Sequence, residues 1–415
     1  MKQTGNLIIK NAAQVVTCSG FSAKKGRKMS DLHVIENGTL VITDGTISFV
    51  GKTDEPIPFD TSGYTVIDAA GKAVLPGFVD SHTHLVWGGY REEEFSWRMR
   101  GDSYMSIMER GGGIHSTMEA TRRASLDELK TTARERLDRM MALGVTTVEG
   151  KSGYGMDKET ELRQLEVMQA LQAEHPVDIV PTFLGAHSVP TEYKGRADDF
   201  IDYLIAEVMP EVKARNLAEC CDIFCEQNVF DIEQSRRYLI AAQELEFKLK
   251  IHADEIVQLG GAELAAELGA LSADHLLQAS DAGIKAMAEK EVVATLLPCT
   301  AFSLREHYAR GREMIDAGCA VALATDLNPG SSFTSSIPLT FALACIYMKL
   351  SPEEAVTALT INGAAAVGHA DRIGSIDVGK QGDVLILDFP SYKFLPYHIG
   401  MNIVGTVIKN GIIHS

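Results

Sequence analysis

Between residues 73 and 326 the chain alternates between short apolar, β-rich runs and longer segments with helical spacing. The runs read AVLPGFVDSH, VTTVEG, VDIVPTFLGAH, CDIFCE, KLKIHADE, LSADH, VVATLLP and VALATD. Segments between them, such as SLDELKTTARERLDRMMALG and DKETELRQLEVMQALQAE, space their apolar residues at helical intervals and keep a polar face. Alternation of this kind predicts an α/β chain whose strands close into a (β/α)8, TIM-like barrel. The competing arrangement is an open doubly wound sheet, but no GxGxxG phosphate loop follows the first run. No repeat is visible in the sequence itself, so the periodicity is one of structure.

The flanks have a different texture. Residues 1–72 hold short strands broken by Gly, Asn and Asp, as in NLIIKNAAQVVT and GTLVITDGTISFVG. The last segments, GDVLILDFP and NIVGTVIKNGIIHS, return to the same pattern. This predicts a small β-sandwich domain built from both termini, residues 1–72 and 372–415, beside a barrel of residues 73–371.

A length of 415 residues suits a barrel with an added lobe. With 45% hydrophobic and 23% charged residues the chain reads as an ordinary soluble protein. Its net charge of −17 argues against nucleic acid as a partner, because no basic block is available to neutralise phosphates. A small anionic substrate remains compatible, since one pocket arginine can reverse the sign locally. No apolar stretch approaches the ~20 residues needed to span a membrane. The opening MKQTGNLIIKNAAQVVTC lacks the apolar core of a signal peptide, so a cytoplasmic location is expected. The 7 cysteines fit that expectation: the number is odd, and no repeated CxxC spacing occurs. Cys221 and Cys225 fall in a strand-like run and read as buried thiols.

Catalytic residues of such a barrel sit at the C-terminal ends of its strands. Here those ends carry His82 and His84, then His187, Glu226, His252 followed by Asp254 and Glu255, Asp274 with His275, and Asp326. Two residues apart on a strand, His82 and His84 point the same way. Taken singly, each of these residues has an ordinary reading: a strand-end polar group, a structural histidine, a turn aspartate. Their convergence at one end of several strands is what points to a metal site, with His82, His84, His252 and Asp326 as its nitrogen and oxygen donors. A metal with an open position lowers the pKa of bound water toward ~7. Glu255 is then placed to act as general acid/base, and His275 to hold the attacking oxygen in line.

LPGFVDSHTHL, IHADE, SADH and LATDLNPG, in this order, resemble the amidohydrolase superfamily. Further motifs, GGYREEEF, GGGIHST, VEGKSGYG, FLGAHSVP, ATDLNPGSS and PYHIGMN, resemble the imidazolonepropionase family within it. The resemblance implies hydrolysis of 4-imidazolone-5-propanoate to N-formimino-L-glutamate, the third step of histidine degradation, with one zinc or iron ion per chain. It also implies that Arg91, Tyr154, His187, Glu255, Asn328, Gly330 and Ser331 contact substrate, with Tyr104 a further candidate for the carboxylate. His187 would stabilise the developing oxyanion, and Asp326 would both ligate and accept a proton. A homodimer is the expected assembly. Lys151 follows the second run, and Glu226 ends the fourth, where two-metal relatives often carry a carboxylated lysine, so one metal is expected. The alternative is a nucleobase or related ring deaminase of the same superfamily. A barrel scaffold without catalysis is disfavoured by the intact donor set.

Overall fold

The computed structural model describes residues 4–102, 110 and 112–414. Eight parallel strands form the barrel wall: Phe78–Asp80, Val145–Lys151, Asp178–Ala186, Cys220–Cys225, Lys248–Ala253, Ser272–His275, Val293–Leu296 and Ala320–Leu323. Each pairs with its neighbours in chain order. Buried on both faces, these strands are rich in Val, Ile, Leu and Ala, as parallel strands covered by helices must be. The connecting helices start where the sequence supplies caps. Ser125 and Glu128 form a capping box for Leu126–Ala142, Asp157 caps Lys158–Glu174, and Asp231 with Gln234 boxes Ile232–Glu244.

The first and eighth strands meet beyond their formal ends. Thr83 bridges Leu327 in parallel, the Asp326 amide donates to the His82 carbonyl at 3.0 Å, and the His84 amide donates to the Leu327 carbonyl at 2.9 Å. Asp80 locks the same seam by accepting from the amide and hydroxyl of Thr325, at 3.0 and 2.6 Å. The barrel is therefore closed by the residues that carry the candidate site.

A separate sheet gathers the termini. Its N-terminal strands are Leu7–Val16, Val34–Thr43, Thr46–Lys52, Thr65–Asp68 and Ala73–Pro76. Val384–Leu387, Val404–Lys409 and Ile412–Ile413 complete it. Val384 and Ile386 pair antiparallel with Pro76 and Val74. Leu7, Ile9, Val15, Leu40, Ile42, Val384 and Ile408 are among the residues of its own apolar core.

The run AVLPGFVDSH, read from sequence as one barrel strand, divides at Gly77. Ala73–Pro76 belongs to the terminal sheet, one strand past residue 72, and Phe78–Asp80 to the barrel. At the crossing a Cβ on residue 77 would fall 2.1 Å from Thr146 Oγ1 and 2.4 Å from its Cγ2. Threonine is branched at Cβ and has no room to turn away. Gly77→Ala is expected to cost about 1–3 kcal/mol, the usual penalty of overpacking, and to lower the urea midpoint followed by circular dichroism.

Candidate active site

Five imidazoles and one carboxylate converge inside the C-terminal mouth of the barrel. Ligand atoms of His82, His84 and Asp326 lie within 4.8 Å of one another. The same holds for His82, His252 and His275, and for His84, His187 and His252. Asp326 Oδ1 stands 3.5 Å from His82 Nε2 and 3.7 Å from His84 Nε2. His82 Nε2, His252 Nε2 and Asp326 Oδ1 are buried without a hydrogen-bond partner. Burying such groups unpaired is costly, and a bound cation relieves all of them at once. Burial, the largest influence, holds the pKa values of His82, His84 and His252 well below the ordinary histidine value. Neutral imidazoles are the form that binds metal. The residues present thus fit a metal ion.

The donors are held from behind. His82 Nδ1 donates to Asp274 Oδ2 at 2.6 Å, which leaves Nε2 for the site. His252 Nδ1 stands 3.0 Å from Asp222 Oδ2. Thr300 donates to Asp326 Oδ2 at 2.6 Å and so leaves Oδ1 facing the imidazoles. Three residues here have left-handed backbone: His275, Leu276 and Asp326, with φ of 75°, 61° and 51°. Non-glycine residues in that region cost on the order of 1 kcal/mol or more each, and such outliers cluster at active sites.

Glu255 Oε1 lies 3.4 Å from His275 Nδ1. Burial first, then the charges of Asp326 and Glu226, push its pKa up to about 8. Burial lowers that of His275 to about 4 and raises that of Asp326 to about 7. His187 Nδ1 donates to the Gly153 carbonyl at 3.0 Å, its ring stacks on His84 at 4.7 Å, and burial lowers its pKa to about 4. Tyr154 is buried with its ring 5.4 Å from His84 and 5.2 Å from His187. Glu161 shapes that turn by accepting from the amides of Gly153, Gly155 and Met156.

Arg91 precedes the helix Glu92–Arg100. Its Nε and Nη2 pair with Glu94 at 2.9 and 2.8 Å, a local ion pair within REEE. Its Nη1 lies 2.2 Å from where a Cβ on Gly330 would stand, so glycine there is what admits the guanidinium. The Arg91 charge reaches Tyr154 and His187, lowering both pKa values against the effect of burial on the tyrosine. Asn328 is spent on its own loop: its Oδ1 accepts from the Gly330 and Ser331 amides at 2.8 Å, and its Nδ2 donates to the Asp326 carbonyl at 2.7 Å. Tyr104 lies outside the described residues.

Not every strand-end acid joins the site. Glu226 accepts from the Ile256 and Gln227 amides, and Asp254 from four successive amides, Leu259 to Ala262. Both anchor the loop that carries Glu255. The sequence reading passed over Asp222, Glu149 and Thr300. Its one available signal was a carboxylate inside an apolar strand, as in CDIFCE. Lys151 ends the second strand, and its ammonium lies among Glu149, Asp222 and Asp274. Among the described residues, no helix is long and apolar enough to cross a membrane.

The profile of the amidohydrolase family matches residues 65–112 and 97–413. The chain is 62% identical to an imidazolonepropionase of Parabacteroides distasonis over 413 residues, 99% of each chain. It is 64% identical to one of Bacteroides thetaiotaomicron over 415 residues, again 99% of each. An imidazolonepropionase of Porphyromonas gingivalis is 64% identical over 98% of this chain and 97% of its own. Among solved structures, a zinc-bound adenosine deaminase from Xanthomonas campestris superposes with a TM-score of 0.71 at 19% identity, covering 100% of this chain and 93% of that one. A 5-methylcytosine deaminase from Klebsiella pneumoniae gives 0.71 at 18% identity, over 98% of both chains. At such identities the two deaminases establish the fold alone, whereas the close relatives establish the group. The chain belongs to the amidohydrolase family and, within it, to the imidazolonepropionases.

Proposed function

We propose that the protein opens the cyclic amide of 4-imidazolone-5-propanoate to give N-formimino-L-glutamate, the third step of histidine degradation. The observation that carries this reading is a guanidinium, Arg91, set against Gly330, together with a cluster of imidazoles and a carboxylate that keep unpartnered buried donor atoms. A nucleobase deaminase has no carboxylate at the far end of its substrate for that arginine to meet. His82, His84, His252 and Asp326 would hold one metal ion per chain, zinc or iron. When bound, the metal supplies a water of lowered pKa and a Lewis acid for the amide carbonyl.

The chain's own groups then divide the work. Hydrolysis adds water across the amide, its oxygen to the carbonyl carbon and a proton to the departing ring nitrogen. Glu255 moves that proton, helped by a pKa near the working pH. His275 steadies Glu255. His187, neutral and donating from Nδ1 to Gly153, offers Nε2 as an acceptor. That suits a substrate N–H; stabilising an oxyanion would need both nitrogens protonated, a state that burial opposes. The role expected for His187 from sequence is revised accordingly. Tyr154 and the Asn328–Ser331 loop wall the pocket. We further propose a cytoplasmic homodimer, which sedimentation in solution tests.

Arg91 gives the test of substrate. Glu94 takes one edge of its guanidinium and leaves the Nη1 edge for the propionate. Arg91→Met is expected to lower kcat/KM for imidazolone propionate about 10²-fold, or about 2.7 kcal/mol. An imidazolone without the propionate should lose much less, and lysine should restore the loss only in part. Equal losses on both substrates would make Arg91 a structural partner of Glu94.

A further inference from the structure

Beneath the imidazoles lies a layer of charge with no access to solvent. Lys151, Lys250, Glu149, Asp222 and Asp274 are each 0% exposed. An ammonium has three protons, and Lys151 Nζ meets three carboxylates: Asp222 Oδ2 at 2.6 Å, Glu149 Oε1 at 3.0 Å and Asp274 Oδ2 at 3.5 Å. Two of these oxygens serve a second partner. Asp222 Oδ2 faces His252 Nδ1 at 3.0 Å, and Asp274 Oδ2 accepts from His82 Nδ1 at 2.6 Å. One lysine on the second strand thus reaches imidazoles on the first and fifth strands, each through a single carboxylate oxygen. The third carboxylate, Glu149, makes no hydrogen bond to an imidazole among the described residues, although one of its oxygens lies within 4.8 Å of a His82 ring nitrogen; Thr182 donates to it at 2.6 Å.

We infer that Lys151 is a positioning residue that sets the aim and donor strength of two metal ligands, His82 and His252, through Asp274 and Asp222. Deprived of the ammonium, Asp222 would be a buried anion beside one imidazole, and Asp274 one held by an imidazole, the Ser272 hydroxyl at 2.6 Å and Lys250 at 3.7 Å. Their side chains would turn toward other partners, and that rotation releases the Nδ1 contact that orients each ring. Lys250 backs Asp274 from nearly the same distance, but among the described residues it makes no ion pair with Asp222, so Lys151 alone joins the two aspartates. The Lys250 Nζ reaches Glu149 and Asp274 at 3.5 and 3.7 Å, and it donates to the Ala366 carbonyl at 3.0 Å.

The inference rests on the ligand assignment proposed above, and the two fail separately. His84→Ala tests the ligands; Lys151→Met tests the hub. The measurements are the zinc dissociation constant by chelator competition and the visible spectrum of the cobalt(II)-substituted protein, which reports ligand geometry. Lys151→Met is expected to bind zinc about 10–100-fold more weakly, the scale for losing a hydrogen-bond partner of a ligand, and to show a changed cobalt spectrum. The double variant Lys151→Met/Glu149→Gln removes one charge of each sign and should bind zinc as weakly as the single one. Recovery of zinc affinity in the double variant would mean that net charge, not positioning, is at work, and would overturn the inference. So would a Lys151→Met protein with wild-type affinity and spectrum. If Lys151→Met fails to fold, Asp222→Asn and Asp274→Asn decide: each should weaken zinc and alter the cobalt spectrum, and unchanged values in both would overturn the inference. Metal loss in His84→Ala beside normal binding in Lys151→Met would sink this inference alone.

Discussion

His84→Ala protein is expected to fold, to be purified with far less than one metal ion per chain, and to show no ring opening above background. The physical reason is the shape of the donor set. His84 Nε2 stands 3.7 Å from the same Asp326 oxygen that His82 approaches at 3.5 Å, so the two histidines and the aspartate define one point. Removing a hydrogen-bond partner of a ligand typically costs ~10–100-fold in affinity, and removing the ligand itself must cost more. Elemental analysis of wild type and variant checks this. Wild-type protein should carry about one transition metal per chain, as a single mixed nitrogen and oxygen site allows. Two tightly held ions in the wild type, or a metal-free variant with full activity, would refute the mononuclear site.

Glu255→Gln should separate binding from chemistry. The amide keeps the size and polarity of the side chain, and Glu255 ligates nothing in the proposed site. Metal content is therefore expected to stay at the wild-type level while kcat falls by ~10²-fold or more, the range for loss of general acid–base help. Burial and the neighbouring Asp326 and Glu226 charges push the Glu255 pKa up to about 8, so the group can both give and take a proton near neutrality. Glutamine can do neither. Steady-state rates with matched metal analyses check the outcome. An unchanged kcat would pass the proton-transfer role to Asp326, whose pKa is raised to about 7, since His275 is held near 4.

Much of this site is legible before any folding. The His-Thr-His motif, IHADE, SADH and LATD each place a donor at a strand end by local pattern alone, because side-chain alternation along a strand is set by the backbone. The eight strands of the barrel and the capped helices are legible for the same reason. Periodicity and caps are properties of a few consecutive residues.

The supports of the site are a different matter. Asp222 sits 140 residues from His82 in the chain, and Lys151 meets Asp274 across 123 positions. No local pattern distinguishes them from any acid or lysine near an apolar strand. The same limit explains Gly77. AVLPGFVDSH has the texture of one strand, and only the placement of two sheets divides it. It explains Glu226 and Asp254 too, strand-end acids by sequence that the fold turns toward loop amides. The left-handed backbone at His275 and Asp326 is likewise a product of the whole, because only a surrounding structure can hold residues in a conformation they disfavour. What the sequence determined by itself was the donor chemistry, the strand ends that carry it and the class of fold, all short-range consequences of residue order. Tertiary structure alone decided which oxygen faces which nitrogen, which tautomer His187 adopts and which charges share a dry interior. Those depend on contacts between distant segments, where low dielectric makes the pairing of each buried group decisive.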